Sequence, residues 1–406
     1  MREGSLSGQA VATGERPAWR DGKRYLWLLG TVVPLFLFLG WGLVNLTGLS
    51  VFWWIGPVFV YVIIPTLDLL IGDDATNAPE EVVAWLEQDR YYRWVTYLFL
   101  PLQFLSFFVG FWLIVTHGGL SVVDKIGIAT TVGMLNGIAI NTAHELGHKK
   151  EHHERWLARI ALAPCGYGHF FIEHNRGHHV RVATLEDPAS SRLGETFWGF
   201  WPRTVVGSVQ NGWRLEQSRL RRTGKSTRWG AWTLRNDVLN AWAMTIALWA
   251  VIVALFGFGT LPYLLLQAVL AFSLLEAVNY LEHYGLLRQA LPNGRFERVT
   301  PRHSWNNNHL TTNLFLYHLQ RHSDHHANPT RRYQALRHFD DSPQLPAGYA
   351  AMILLAYFPP LWRRVMDKRV LAHYGGDITL ANVQPRKRAK LLARFGAPAK
   401  PTATAA

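Results

Sequence analysis

Residues 126–150 read IGIATTVGMLNGIAINTAHELGHKK, and this stretch decides the architecture. Residues 126–140 carry no charge, and the run continues without a break into the polar motif HELGH. A helix is therefore predicted to leave a hydrocarbon layer and present His144 and His148 just beyond it. At spacing i, i+4 those imidazoles share one helix face and reach one ion. Outward from this point, residues 25–46, 51–71, 94–115, 238–256 and 261–280 are also apolar runs. Each approaches the roughly 20 residues that span a ~30 Å hydrocarbon core. The expected fold is an all-α membrane protein: six transmembrane helices with a cytoplasmic helical cap carrying a histidine-rich site.

Composition agrees with a membrane address. The chain has 406 residues, 49% of them apolar and only 17% charged, where soluble domains carry roughly 25% charged residues. Eighteen tryptophans suit an interface where amphipathic rings sit at headgroup level. Connections 45–50, 116–125 and 257–260 are short and hold only Asp124 and Lys125 as charges. Longer connections carry Lys149, Lys150, Arg176, Arg181, Arg221, Arg222 and Lys225. Positive-inside bias thus assigns both termini, the long segments and 17 of 18 histidines, all but His117, to the cytoplasmic side of a bacterial inner membrane. The net charge of +13 follows from topology and requires no nucleic acid.

The expected organisation is a cytoplasmic segment 1–24, a membrane domain 25–383, and a basic, then Ala/Pro/Thr-rich, tail 384–406 without fixed structure. Residues 349–366 are apolar but interrupted by Pro359 and Pro360, so they are expected to lie on the membrane or the cap. A single cysteine, Cys165, excludes a disulfide framework, a thiolate zinc ribbon and a rubredoxin-type iron site.

Four clusters carry chemistry. They are NTAHELGHKK with His144 and His148, EHNRGHH with His174, His178 and His179, NYLEHYG with His283, and LQRHSDHH with His322, His325 and His326. HExxH alone also describes a zinc protease with Glu145 as general base, but that site needs only three protein ligands. Nine histidines in helix-compatible spacings on one side of a membrane point to two metal ions. A metal transporter would want ionisable groups inside the spans, which offer little beyond Asp68. Neutral imidazoles leave metal charge uncompensated, so Glu145, Glu173, Asp187, Glu282 and Asp324 are expected to hold outward ring nitrogens. Glu282 or Asn279 is expected to orient His283, with Gly285 closing that helix in a left-handed cap.

These motifs, together with VATLEDPASSRLGE, SWNNNH and HYGGD, resemble the integral-membrane non-haem diiron alkane 1-monooxygenases. That family lies within the superfamily of membrane fatty-acid desaturases and hydroxylases, and the likeness runs over about residues 23–376. It implies that His144, His148, His174, His178, His179, His283, His322, His325 and His326 bind two iron ions. It also implies O₂-dependent hydroxylation of medium-chain n-alkanes at the terminal carbon, in a cavity among the spans that opens to the lipid and ends below the irons. Val60, Gly133, Gly137 and Ala143 are small or slim enough to line such a channel. His169, His303, His309 and His318 are expected to be structural or donor-facing. No GxGxxG fingerprint and no cysteine cluster supplies electrons, so neither flavin nor nicotinamide is expected on the chain. The resemblance implies rubredoxin, reduced by a rubredoxin reductase, with Arg176, Arg181, Arg321, Arg331 and Arg332 as docking residues for that acidic partner. A fatty-acyl desaturase or a xylene-type methyl hydroxylase is the alternative.

Overall fold

The computed structural model describes residues 19–396. Most of segment 1–24 and the Ala/Pro/Thr-rich end of the tail lie outside the described residues. The chain is all-α, with isolated bridges in place of any extended sheet among those residues. Five helices are long and apolar enough to cross a membrane: Ser50–Ile71, Arg90–Thr116, Val122–Gly147, Asp237–Phe256 and Phe258–Glu282. We call them α1 to α5 in that order. They correspond to five of the six predicted spans and make this an integral membrane protein.

The remaining predicted span, 25–46, is not one continuous helix. Leu28–Thr31 is followed by a tighter 3₁₀ turn at Val33–Leu35, and only then does Phe36–Thr47 run as an α-helix. Pro34 sits in that turn. Its ring removes an N–H and collides with the preceding turn, so the helix is interrupted there.

α3 is the central element, buried over 94% of its most apolar window. It starts with a reciprocal cap in which the side chains of Ser121 and Asp124 each take the other's backbone amide. Glycines let α5 approach it closely. A Cβ on Gly133 would lie 2.8 Å from the Gln267 carbonyl oxygen, and one on Gly137 would lie 2.9 Å from Leu274 Cδ2. A polar chain then ties three spans together. Gln103 Nε2 donates to Asn136 Oδ1 at 3.0 Å, and Asn136 Nδ2 donates to Gln267 Oε1 at 3.0 Å. Gln267 Nε2 ends the chain on the Pro164 carbonyl at 2.6 Å. Such bonds hold helices together where lipid offers no competing hydrophobic drive.

Asp68, the notable acid of the spans, is a structural cap. Its Oδ1 accepts from the Thr312 amide at 2.9 Å and its Oδ2 from Thr312 Oγ1 at 2.6 Å. The first of these bonds satisfies a free amide at the start of helix Leu310–Phe315 from a different span. Residues 349–366 form two helices, Tyr349–Ala356 and Pro359–His373, the first packed against α5. The tail expected from residue 384 departs from expectation at once. Arg388–Phe395 is a helix that buries Leu391 against Gly194.

Candidate metal centre

The four histidine clusters arrive from four directions. α3 brings His144 and His148 at its end, α5 brings His283 just past its last residue, and helix His322–Ala327 brings three more. Gly285 follows His283 with φ +75°, the left-handed conformation expected at that cap. The remaining segment, His174–His178, is a π-helical turn between two short α-helical pieces. Its wider turn matters, because it places His174 and His179 on the same side, with their Nε2 atoms 3.1 Å apart.

All nine predicted histidines converge, and they do so as two groups. The first comprises His144, His148, His174, His179 and His325; the second comprises His178, His283, His322 and His326. In the first, Nε2 atoms run from His144 to His325 at 2.8 Å, to His179 at 3.1 Å, to His174 at 3.1 Å and to His148 at 3.1 Å. In the second, His322 Nε2 lies 2.9 Å from His326 Nε2 and 3.3 Å from His283 Nε2.

Hydrogen bonding does not account for this geometry. An Nε2 atom has one in-plane direction, holding either a hydrogen or a lone pair. His325, His179, His174 and His322 each meet two neighbours through that one atom. Nitrogens on adjacent corners of a coordination sphere, with bonds of about 2.1 Å, lie roughly 3.0–3.4 Å apart. The observed spacings match that arrangement. His178 Nε2 is buried in the second group with no protein partner.

Electrostatics favours the ligating form. Metal binds neutral imidazole. Burial, reinforced by mutual repulsion, holds His148, His174, His179, His322, His325 and His326 well below the usual imidazole range. Burial likewise takes His283 down to about 3. His178 moves the other way: burial opposes its charge, but the Asp187 carboxylate overcomes that.

The carboxylates divide. Asp187 Oδ2 takes His178 Nδ1 at 2.9 Å, and Glu282 Oε1 lies 3.2 Å from His322 Nδ1. The Glu282 contact is close but off the hydrogen-bonding direction, so it is weaker than its distance suggests. Glu145 and Asp324 hold other groups. Glu145 pairs with Lys149 at 2.9 Å and accepts from the Tyr333 amide at 3.2 Å. Asp324 accepts from Arg331, Asn328 and the Arg337 amide. Each stands one or two residues from a histidine and so points to a different side of its helix. Glu173 takes Asn211 Nδ2 at 2.9 Å. His283 Nδ1 faces the His303 carbonyl at 3.2 Å rather than Asn279 or Glu282.

Two of the expected docking arginines are interior. Arg321 spends its guanidinium on the carbonyls of Leu336, Asp74 and Thr76, and Arg332 is paired with Glu154 and Glu151. Among the other histidines, His318 Nδ1 meets the Tyr333 carbonyl, and His309 pairs with Asn307 and Asp73.

Beside the imidazoles lies a narrow apolar cavity among α1, α3, α5 and Tyr349–Ala356. The space open to the centre of a water-sized sphere is ≈ 60 Å³. Val60, Ile64, Ile138, Leu274 and Ile353 form its walls, and His144, His174 and His322 also line it. Of the four residues expected to leave a channel, Val60 and Gly137 line it. Gly133 and Ala143 instead serve packing. Asn141 and Asn279 line it too. Sequence reasoning passed over Asn141 as a site residue, although each asparagine stands one helical turn before a site histidine.

His169 is buried with neither ring nitrogen hydrogen-bonded. Burial pushes its pKa down to about 4, against about 6.5 in an unfolded chain. Between those values the unfolded state binds more protons, so this contribution is complete above 6.5 and fades as pH falls toward 4. From pH 7 to pH 5 the parent should lose about 2 kcal/mol more stability than His169→Phe. Parallel thermal melts at both pH values check this, and equal losses would contradict it.

Convergent buried imidazoles beside an apolar cavity at the ends of membrane-crossing helices define a membrane protein with a candidate metal site. The sequence matches the fatty acid desaturase family over residues 125–356. It is 49% identical over 379 residues to alkane 1-monooxygenase of Acinetobacter baylyi, covering 93% of this chain and 92% of that one. Alkane 1-monooxygenase 1 of Alcanivorax borkumensis is 44% identical over 396 residues, 98% of this chain and 97% of its own. A more distant likeness, 27% over 243 residues (60% and 63% of the two chains), is to the hydroxylase component of a Pseudomonas putida xylene/toluene monooxygenase. The chain belongs to the alkane 1-monooxygenase family.

Proposed function

We propose that this protein is an alkane 1-monooxygenase with two iron ions, one held by the five-histidine group and one by the four-histidine group. The observation that carries the reading is the pair of converging Nε2 sets beside an apolar cavity. The overall change is RCH₃ + O₂ + 2e⁻ + 2H⁺ → RCH₂OH + H₂O. Bound iron would supply reductive activation of O₂, the chemistry that an unactivated C–H bond requires and that side chains alone do not provide.

The protein's own contribution is positioning. Apolar walls at Val60, Ile64, Ile138 and Ile353 exclude water and admit a slim hydrocarbon chain whose end meets His144, His174 and His322. Asp187 fixes the hydrogen of His178 on Nδ1, which leaves the Nε2 lone pair for metal. Electrons come from outside the chain, which has one cysteine and no dinucleotide fingerprint. A rubredoxin, small and acidic, suits a basic face, and Arg176 and Arg181, though paired with Glu216, Asp237 and Glu173, are more exposed than Arg331 and Arg332. The cytoplasm is the side of the histidines, and residues 25–46 add an interrupted sixth crossing.

Metal analysis with a product assay tests the reading. The purified protein should carry about two irons per chain and convert octane to 1-octanol when given rubredoxin, its reductase and O₂. One tightly bound zinc without iron would end the diiron assignment. A desaturated acyl lipid, or turnover of xylene with none of octane, would move the protein elsewhere in its superfamily.

A further inference from the structure

The connection from helix Phe197–Arg222 into α4 combines charge of one sign with bare apolar side chains. Residues 217–236 contain Arg219, Arg221, Arg222, Lys225, Arg228 and Arg235 and no acid. Arg219 is held inward by Glu216 and by the Arg235 carbonyl, each at 2.6 Å. The other five cations are exposed, and none forms an ion pair among the described residues. Among them stand Trp229, Trp232 and Leu234, which are 67%, 65% and 88% exposed. Large apolar side chains grouped at that exposure mark a contact surface.

Their place in the fold says what covers them. Leu234 stands two residues before Asn236, whose side chain caps the membrane-crossing α4 by accepting from the Val238 amide at 2.9 Å. A ladder of indole rings runs from the connection into that helix. Trp232 and Trp213 have ring centroids 5.0 Å apart, and Trp213 lies 6.4 Å from Trp242 of α4, nearly parallel to it. The ladder reaches the edge of the bilayer, the depth that indole rings favour. α4 turns at Gly257 and α5 returns to His283, so this edge is on the side of the metal centre.

We propose that residues 221–235 lie against the bilayer and form a binding site for acidic phospholipid. Trp229, Trp232 and Leu234 enter the boundary between headgroups and acyl chains. Arg221, Arg222, Lys225, Arg228 and Arg235 meet the anionic headgroups. A zwitterionic headgroup carries an ammonium beside its phosphate and no net charge, so the connection selects acidic lipid over it. The site does not depend on which reaction the metal centre carries out.

Leu234→Cys in the full-length protein, labelled with bimane, places a reporter on this surface. The single native cysteine, Cys165, is buried. Phosphatidylcholine nanodiscs then receive equal small fractions of phosphatidylglycerol or phosphatidylcholine bearing a doxyl quencher high on one acyl chain. The phosphatidylglycerol probe should quench about 3-fold more strongly, or better, at low salt. That ratio should fall toward one in about 0.5 M salt, where charges are screened within a few ångströms. It should also fall when Arg222→Gln, Lys225→Gln and Arg228→Gln are combined, while the phosphatidylcholine probe goes on quenching because the apolar contact remains. Equal quenching by both probes in the parent would overturn the selectivity for acidic lipid. Quenching by aqueous iodide with none from either lipid would overturn the membrane contact. If the acidic electron donor then blocked iodide, this face would be a protein-docking surface instead.

Discussion

His283→Ala should yield a folded, membrane-inserted protein that carries about one iron instead of two and has lost octane hydroxylation by about 100-fold or more. The asymmetry of the two groups dictates this outcome. Removing His283 reduces the smaller group to His178, His322 and His326, while the other keeps all five of its imidazoles. His283 is fully buried, and its Nε2 lies 3.3 Å from His322 Nε2. Water that enters the vacated space does not restore a ligand fixed at a helix end. Iron content and octanol formation, measured on the same purified sample, decide the matter. Parental values of both would show that His283 only fills space where α5 emerges.

Spacing picked out the histidine clusters, and the resemblance joined them, with His283, into one set of nine. Histidines at i, i+4 on an apolar helix have few other uses, and all nine converge. The division into five and four was not legible. His178 and His179 are neighbours in sequence yet belong to different groups, because the π-helical turn at His174–His178 realigns the faces. Sequence gives no reason to choose a π turn over an α turn there, and a regular helix would have paired His174 with His178. His325 likewise leaves His322 and His326, which share a face at i, i+4 while it does not.

The carboxylates mark a second limit. Sequence position, beside a histidine or in the LEDP turn, nominated Glu145, Asp187, Glu282 and Asp324 as well as Glu173. Only Asp187 and Glu282 face an imidazole, because contact across a fold is set by helix phase and by which cation arrives first. Lys149 and Arg331 claimed Glu145 and Asp324. The fold shows the same pattern. Five spans follow from length and hydropathy, whereas the interruption near Pro34 depends on one residue that an average over a window conceals.

Asp187→Asn is expected to weaken iron binding at the four-histidine group by about 10- to 100-fold while leaving the five-histidine group loaded. The carboxylate accepts on both oxygens. Oδ2 takes His178 Nδ1 at 2.9 Å and Ser190 Oγ at 2.6 Å, and Oδ1 takes the Ala189 amide at 3.1 Å. An asparagine has one oxygen for these two places. With its NH₂ toward Ala189, two donors meet and a buried amide goes unpaired. With its NH₂ toward His178, the imidazole must move its hydrogen to Nε2, the atom that faces the metal site. Either choice costs, and the second removes a ligand outright. Chelator competition should therefore release one iron early and the other at the parental concentration, with octane turnover falling alongside the first. Release of both irons together would mean that Asp187 supports the fold of the whole centre. Release of neither would mean that His178 keeps its tautomer without a carboxylate.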